Sequence, residues 1–239
     1  SADGDKKKLN HLIVQSLHQI AFFALPASVL LLILRIPIVR LVFGADNFPW
    51  RTTVMTGRVV AIIALSITAQ AMSHLLVRVF HAMKDTITPF AVTVSTVAVY
   101  LVVSAVAVFA MGADVLGLAV ATAISALIEV TLFMWLLHKR TGFFWQTEFL
   151  VPQLKMIATS FLMAVFLYLP FRILDEVVFN TSRTLELISL TIITSTIGMM
   201  VYVYFSALLD VKELRYFTHL FTAFGKWRKP LAKTGEVLV

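Results

Sequence analysis

Glu129 is the residue in this chain whose surroundings make it most able to do chemistry. It stands in the apolar run Ala126-Leu127-Ile128-Glu129-Val130-Thr131-Leu132. A carboxylate inside a membrane span is expensive and is a functional-site candidate by default. It can carry a proton, bind a cation, or stay neutral. The plainer reading is a Glu paired with His or Arg, or reaching water from a helix end. His74 and Arg78 are four apart and share a helical face. A cationic pair at a cavity mouth suits a phosphate or diphosphate. The plainer reading there is an Arg among lipid headgroups beside a packed His. Three polar stripes surround these residues: Ser66, Gln70, Ser73 and His74; Thr93, Thr96, Tyr100 and Ser104; Thr122, Ser125 and Glu129. Offsets of three, four and seven put each stripe on one face. Any single Ser or Thr can bond to its own backbone or across packed helices. Taken together, the stripes read as the lining of a polar cavity.

The elements that position them must cross a membrane. Of the 239 residues, 59% are apolar and 14% charged, against about 25% charged in a soluble domain. There is no Cys, which excludes a disulfide scaffold, thiolate metal sites and Cys nucleophiles. No Walker loop, HExxH, GxSxG or CxxC occurs, and the six His show no ligand spacing. Enzymatic chemistry and a resident metal or cofactor are therefore not expected. The net charge is +7, but no basic run carries interleaved aromatics, so nucleic acid is not the expected partner.

Six apolar segments read as spanning helices: residues 12–34, 59–80, 88–110, 115–137, 152–174 and 185–209. The fold class is all-α, a polytopic membrane helix bundle. Pro26 predicts a kink in the first span. Residues 36–43 form a short amphipathic piece before a turn-rich loop. The first, fifth and sixth spans read as uniformly apolar. Lys and Arg concentrate at the N-terminus, around Arg78 and Lys84, around Lys139, Arg140 and Lys155, and in the C-terminal tail. That side is assigned to the cytoplasm, which puts both termini there. Residues 211–227 space Val211, Leu214, Phe217, Phe221, Phe224 and Trp227 at three or four, which reads as an interfacial amphipathic helix. The opening stretch from Ser1 to Lys8 mixes charges and reads as a loop of a longer protein, not a signal peptide.

Three stretches carry a family resemblance. The first is Leu25-Pro26-Ala27-Ser28 followed by Ile36-Pro37-Ile38-Val39-Arg40-Leu41-Val42-Phe43-Gly44, with Phe48 closing the pattern. The second is Arg78-Val79-Phe80-His81-Ala82-Met83-Lys84-Asp85-Thr86-Ile87-Thr88-Pro89, and the third is Gly117-Leu118-Ala119-Val120-Ala121-Thr122. They resemble the MurJ (MviN) family of lipid II flippases, in the MOP transporter superfamily. The resemblance implies the C-terminal portion of a fourteen-helix transporter of the bacterial inner membrane, working by alternating access. Residues 1–142 would be four helices of the second lobe. Residues 143–209 would be two extra spans forming a lipid-tail groove, and 210–239 a cytoplasmic tail. The loop motif Asp85, Thr86, Thr88 and Pro89 would be cytoplasmic.

The implied partners are a polyprenyl-diphosphate-linked sugar-peptide, membrane lipids and the missing N-terminal half. On the substrate path we place His74, Arg78, Gln70, Glu129, Tyr100, Ser104 and Thr122. Tyr100 and Ser104 stand where family members with a sodium site have Asn and Asp, while Thr122 is retained, so that site is incomplete here. Two other readings are an exporter of another polyprenyl-linked oligosaccharide and a membrane scaffold without transport.

Overall fold

The computed structural model describes residues 2–44, 49–142, 147–173 and 184–214, with side chains except at 2–7, 147, 148 and 184. Among the described residues there is no strand. Seven helices follow in order: α1 (Ala2–Ile33), α2 (Arg35–Phe43), α3 (Trp50–Ala82), α4 (Ile87–Ala105), α5 (Val115–Thr141), α6 (Thr147–Ile173) and α7 (Thr184–Leu208). All but α2 are long and apolar enough to cross a membrane, and only a helix satisfies its own backbone there. Large apolar residues such as Phe90, Leu101, Phe109, Phe161 and Leu169 stay exposed. That is the pattern of helices whose outer faces meet lipid.

α1 begins ten residues before the predicted span. Its charged first turns continue the helix, since Lys, Leu and Ala are good helix formers. At the other end α1 runs past Pro26 and breaks only at Leu34, where α2 turns back onto α3. α2 approaches α3 closely at Gly57, where an added Cβ would lie 2.7 Å from Ile36 Cδ1. α4 ends in a π-helical turn, Val106–Ala110, closed by Met111 N–H donating to the Val106 carbonyl at 3.2 Å. The sequence pattern did not show this turn. It sets Ala107 against α5, where a Cβ on Gly117 would lie 2.9 Å from the Ala107 Cβ. Neither atom can swing aside, so glycine is required.

α5 packs between α3 and α4, which touch each other only sparsely. α1 packs on the other side of α3 and against α6, and α6 pairs with α7. α1 is thus the hub, and its apolar face serves two cores. Ile13, Val14 and Leu17 join Met72, Leu76 and Phe80 of α3 and Val130, Phe133 and Leu137 of α5. Ala21 and Phe22 join Met156, Met163 and Leu167 of α6 and Tyr202 of α7.

Phe48, the 174–183 loop and the tail from residue 215 lie outside the described residues. The first tail residues do not lie flat: Val211 and Glu213 are buried against α1.

Candidate functional site

The connection between α3 and α4 shows how the 85–89 motif works. Lys84 takes a left-handed φ of 60°. Asp85 N–H donates to the Phe80 carbonyl and Lys84 N–H to the His81 carbonyl, the paired bonds of a Schellman ending. Asp85 then caps α4. It accepts from Thr88 N–H at 3.0 Å and from Thr88 Oγ1 at 2.6 Å. Pro89 follows within the first turn, where a missing N–H is tolerated. Arg140, near the end of α5, pairs with the Asp85 carboxylate, donates to Thr88 Oγ1 at 3.1 Å and lies over the Phe80 ring. The Thr88 hydrogen bonds, side chain first, and the Arg140 guanidinium hold the Asp85 carboxyl below the usual aspartate range, against partial desolvation. Gly142 closes α5 with φ 72°, its N–H donating to the His138 carbonyl. Arg140 had been read only as a cytoplasmic charge. The spacing of Asp85 and Thr88 signals the cap, but no local pattern points to Arg140.

Most hydroxyls of the polar stripes bond within their own helices. On α3, Gln70 Nε2 donates to Ser66 Oγ at 2.8 Å, and Ser66 donates to the Ile63 carbonyl. On α4, Thr96 and Ser104 donate to the carbonyls of Thr93 and Leu101. On α5, Thr122 and Ser125 donate to those of Leu118 and Thr122.

Glu129 and His74 do come together. The Phe80 and Phe133 rings contact at 5.7 Å between centroids and fix the register of α3 and α5. Counting back four residues to Glu129 and six to His74 leaves a height difference of about 3 Å at 1.5 Å per residue. The charges of the two side chains act on each other. His74 and Arg78 are exposed and Glu129 half-buried. On α4, Tyr100 and Ser104 bracket Thr122 in height, given Ala107 beside Gly117. Among the described residues no three His, Cys, Asp or Glu gather to hold a metal ion. A cation at Tyr100, Ser104 and Thr122 would rest on hydroxyl oxygens.

Between α1 and α3 lies an open, mostly apolar groove of about 530 Å³, lined by Ser16, Gln19, Ile20, Phe23, Ala24 and Ala71. His74 and Arg78 follow Ala71 by three and seven residues, so they continue the groove's α3 wall.

A second polar group sits where the sequence reads as apolar. Pro26 has no N–H, so the Phe22 carbonyl loses its helical partner. Tyr202 Oη of α7 donates to that carbonyl at 3.0 Å and is itself 1% exposed. Ser28, in the same motif, meets Thr68 Oγ1 of α3 at 3.2 Å. Asn10 Nδ2 donates to the Thr141 carbonyl at the end of α5. His18 stacks on Phe149, with Nε2 3.2 Å from the Phe149 carbonyl and Nδ1 3.3 Å from Glu213. Burial works against charge on Glu213. The His18 hydrogen bond, a backbone hydrogen bond and the charges of His18 and Lys212 outweigh it and hold the carboxyl below the usual range. Hydropathy could not reveal this group, because single polar residues vanish in apolar averages.

These spans define a class: a polytopic α-helical membrane protein, organised around one hub helix. Comparison with known proteins gives the family. The family model described as "Lipid II flippase MurJ" matches residues 1–184, and the chain belongs to that family. A relative named "Probable lipid II flippase MurJ", from Bdellovibrio bacteriovorus, is 27% identical over 202 residues, or 84% of this chain and 37% of its own length. One of the same name from Thermotoga maritima is 28% identical over 81% of this chain and 36% of its own length. The solved structure titled "Lipid II flippase MurJ, inward closed conformation" superposes with a TM-score of 0.68 at 22% identity. It covers 86% of this chain and 40% of that structure, and it shows the fold. The chain therefore spans little more than a third of the relatives' length.

Proposed function

We propose that this chain is the C-terminal part of a flippase that carries the lipid-linked peptidoglycan precursor across the bacterial inner membrane by alternating access. The family match over residues 1–184 carries this reading. The other lobe comes from the part of the relatives' length that this chain does not span. The Asp85 end faces the cytoplasm, a reading supported by the Lys and Arg that gather there. His74 and Arg78 receive the diphosphate at the cytoplasmic mouth, where exposed cations meet the groove between α1 and α3. Gln70 and Glu129 stand beside them on the path. Tyr100, Ser104 and Thr122 lie further along it. α6 and α7 form the groove for the polyprenyl tail, supported by their exposed Phe161, Phe166, Leu169 and Ile192.

The test joins this chain to the first part of a relative and asks for rescue of cells depleted of their own lipid II flippase. Rescue is expected, and its failure despite good membrane expression overturns the reading. In the rescuing protein, changing His74 and Arg78 together to Ala abolishes growth. Unaltered growth removes them from the path. Glu129→Gln likewise slows transport if the carboxylate acts there.

A further inference from the structure

The hydrogen bonds of His18 fix a proton count. Its Nε2 faces the Phe149 carbonyl oxygen, which only accepts, so Nε2 carries a hydrogen. Its Nδ1 faces a Glu213 carboxyl oxygen at 3.3 Å. An imidazole nitrogen and a carboxyl oxygen attract each other only with a hydrogen between them. The two residues are 5% and 7% exposed, so water does not take that hydrogen's place.

We infer that His18 and Glu213 form a binding site for a single proton, and that the bound proton latches the inner ends of α6 and α7 to α1. With the proton in place the pair is neutral overall, whichever partner holds it. Without it, a buried carboxylate faces an imidazole lone pair, and the uncompensated charge is relieved only by separation or hydration.

The charges that act on Glu213 from its surroundings are His18 of α1 and its neighbour Lys212, and Glu213 in turn acts on Tyr202 of α7. Lys212 is exposed and does not enter the buried site. The backbone also commits Glu213 to this position. Asp210, at φ 50°, ends α7 with Val211 N–H bonded to the Ser206 carbonyl and Asp210 N–H to the Ala207 carbonyl. This turn sends Glu213 back under α1. One imidazole thus meets the first described side chain of α6 and the turn that closes α7. Loss of the proton frees both at once, while the apolar contacts of Ala21 and Phe22 keep the helices paired higher up.

The test needs no substrate, so its outcome is independent of the transport reading. The complete protein, in a background without other cysteines, carries spin labels at Leu12 and Leu208, both exposed, in lipid nanodiscs. Pulsed dipolar spectroscopy reads the distance distribution at about pH 5 and at about pH 10. A narrow distribution that broadens at the higher pH is expected. Glu213→Gln keeps a donor toward Nδ1 but does not titrate, so its distribution stays narrow at both. His18→Ala is broad at both. A parent distribution that does not change with pH overturns the inference, as does a Glu213→Gln protein that broadens as the parent does. If His18→Ala fails to fold, the comparison of the parent with Glu213→Gln decides alone.

Discussion

Two sets of polar residues in this bundle are used in different ways. Along α3, α4 and α5, the hydroxyls of Ser66, Thr96, Ser104 and Thr122 donate to carbonyls of their own helices. A second set, His18 and Ser28 of α1 and Tyr202 of α7, bonds from one element to another. A bond between elements fixes geometry. A hydroxyl bonded within its helix leaves its oxygen lone pairs available to something else. The difference teaches which polar groups hold elements together.

The largest effect that sharpens this contrast comes from Tyr202. Its hydroxyl donates to the Phe22 carbonyl, one turn before Pro26, which has no N–H to offer it. Tyr202→Phe removes that buried hydrogen bond and is expected to destabilise the protein by about 0.5–1.5 kcal/mol, read by thermal or denaturant unfolding in micelles. Pro26→Ala supplies the missing N–H. The double variant should therefore lose less than Tyr202→Phe alone. Simple additivity in that cycle would show that the two residues are not coupled.

The outcome bears on what the sequence could show. All six spans and the short amphipathic piece of residues 36–43 were legible, because hydropathy and local spacing set them, while the Asp85 stretch was read as a loop motif and not as a cap. The Leu25-Pro26-Ala27-Ser28 run was legible only as a family mark. Its reason lies 180 residues away, in Tyr202, and no local pattern reaches that far. His18 and Glu213 escaped notice for the same cause, and so did Arg140 as a partner of Asp85. Glu129 and His74 were each picked out, but separately. Only the register set by Phe80 and Phe133 puts them at one height.

A smaller effect separates the loop cap from both sets. The folded pKa of Asp85 is held below its ordinary value, first by Thr88 and then by Arg140. The unfolded chain therefore binds more protons in this window, and stability rises with pH there. The contribution is fully present above the ordinary aspartate value of about 3.9. It is lost as pH falls through the lower folded value. In Asp85→Asn this acid-side loss should vanish from the unfolding profile, while stability at neutral pH drops toward that of the acidified parent. An unchanged acid limb would mean that the cap contributes nothing.

The smallest expected effect tests the contrast most directly. Ser104→Ala and Thr122→Ala each remove a hydroxyl that donates to a carbonyl at a helical spacing of three or four residues. Those carbonyls sit inside continuous helices and keep their backbone N–H partners, so no buried group is orphaned. Each variant should shift unfolding by about 0.5 kcal/mol or less, near the average for polar contacts within membranes. A loss as large as that of Tyr202→Phe would mean that these hydroxyls also hold the fold, and the division between the two sets would collapse. If stability is kept while rescue of flippase-depleted cells weakens, the lone pairs of these oxygens serve a ligand. Their own hydrogen bonds stay within α4 and α5, while His18, Ser28, Tyr202 and Arg140 join one element to another.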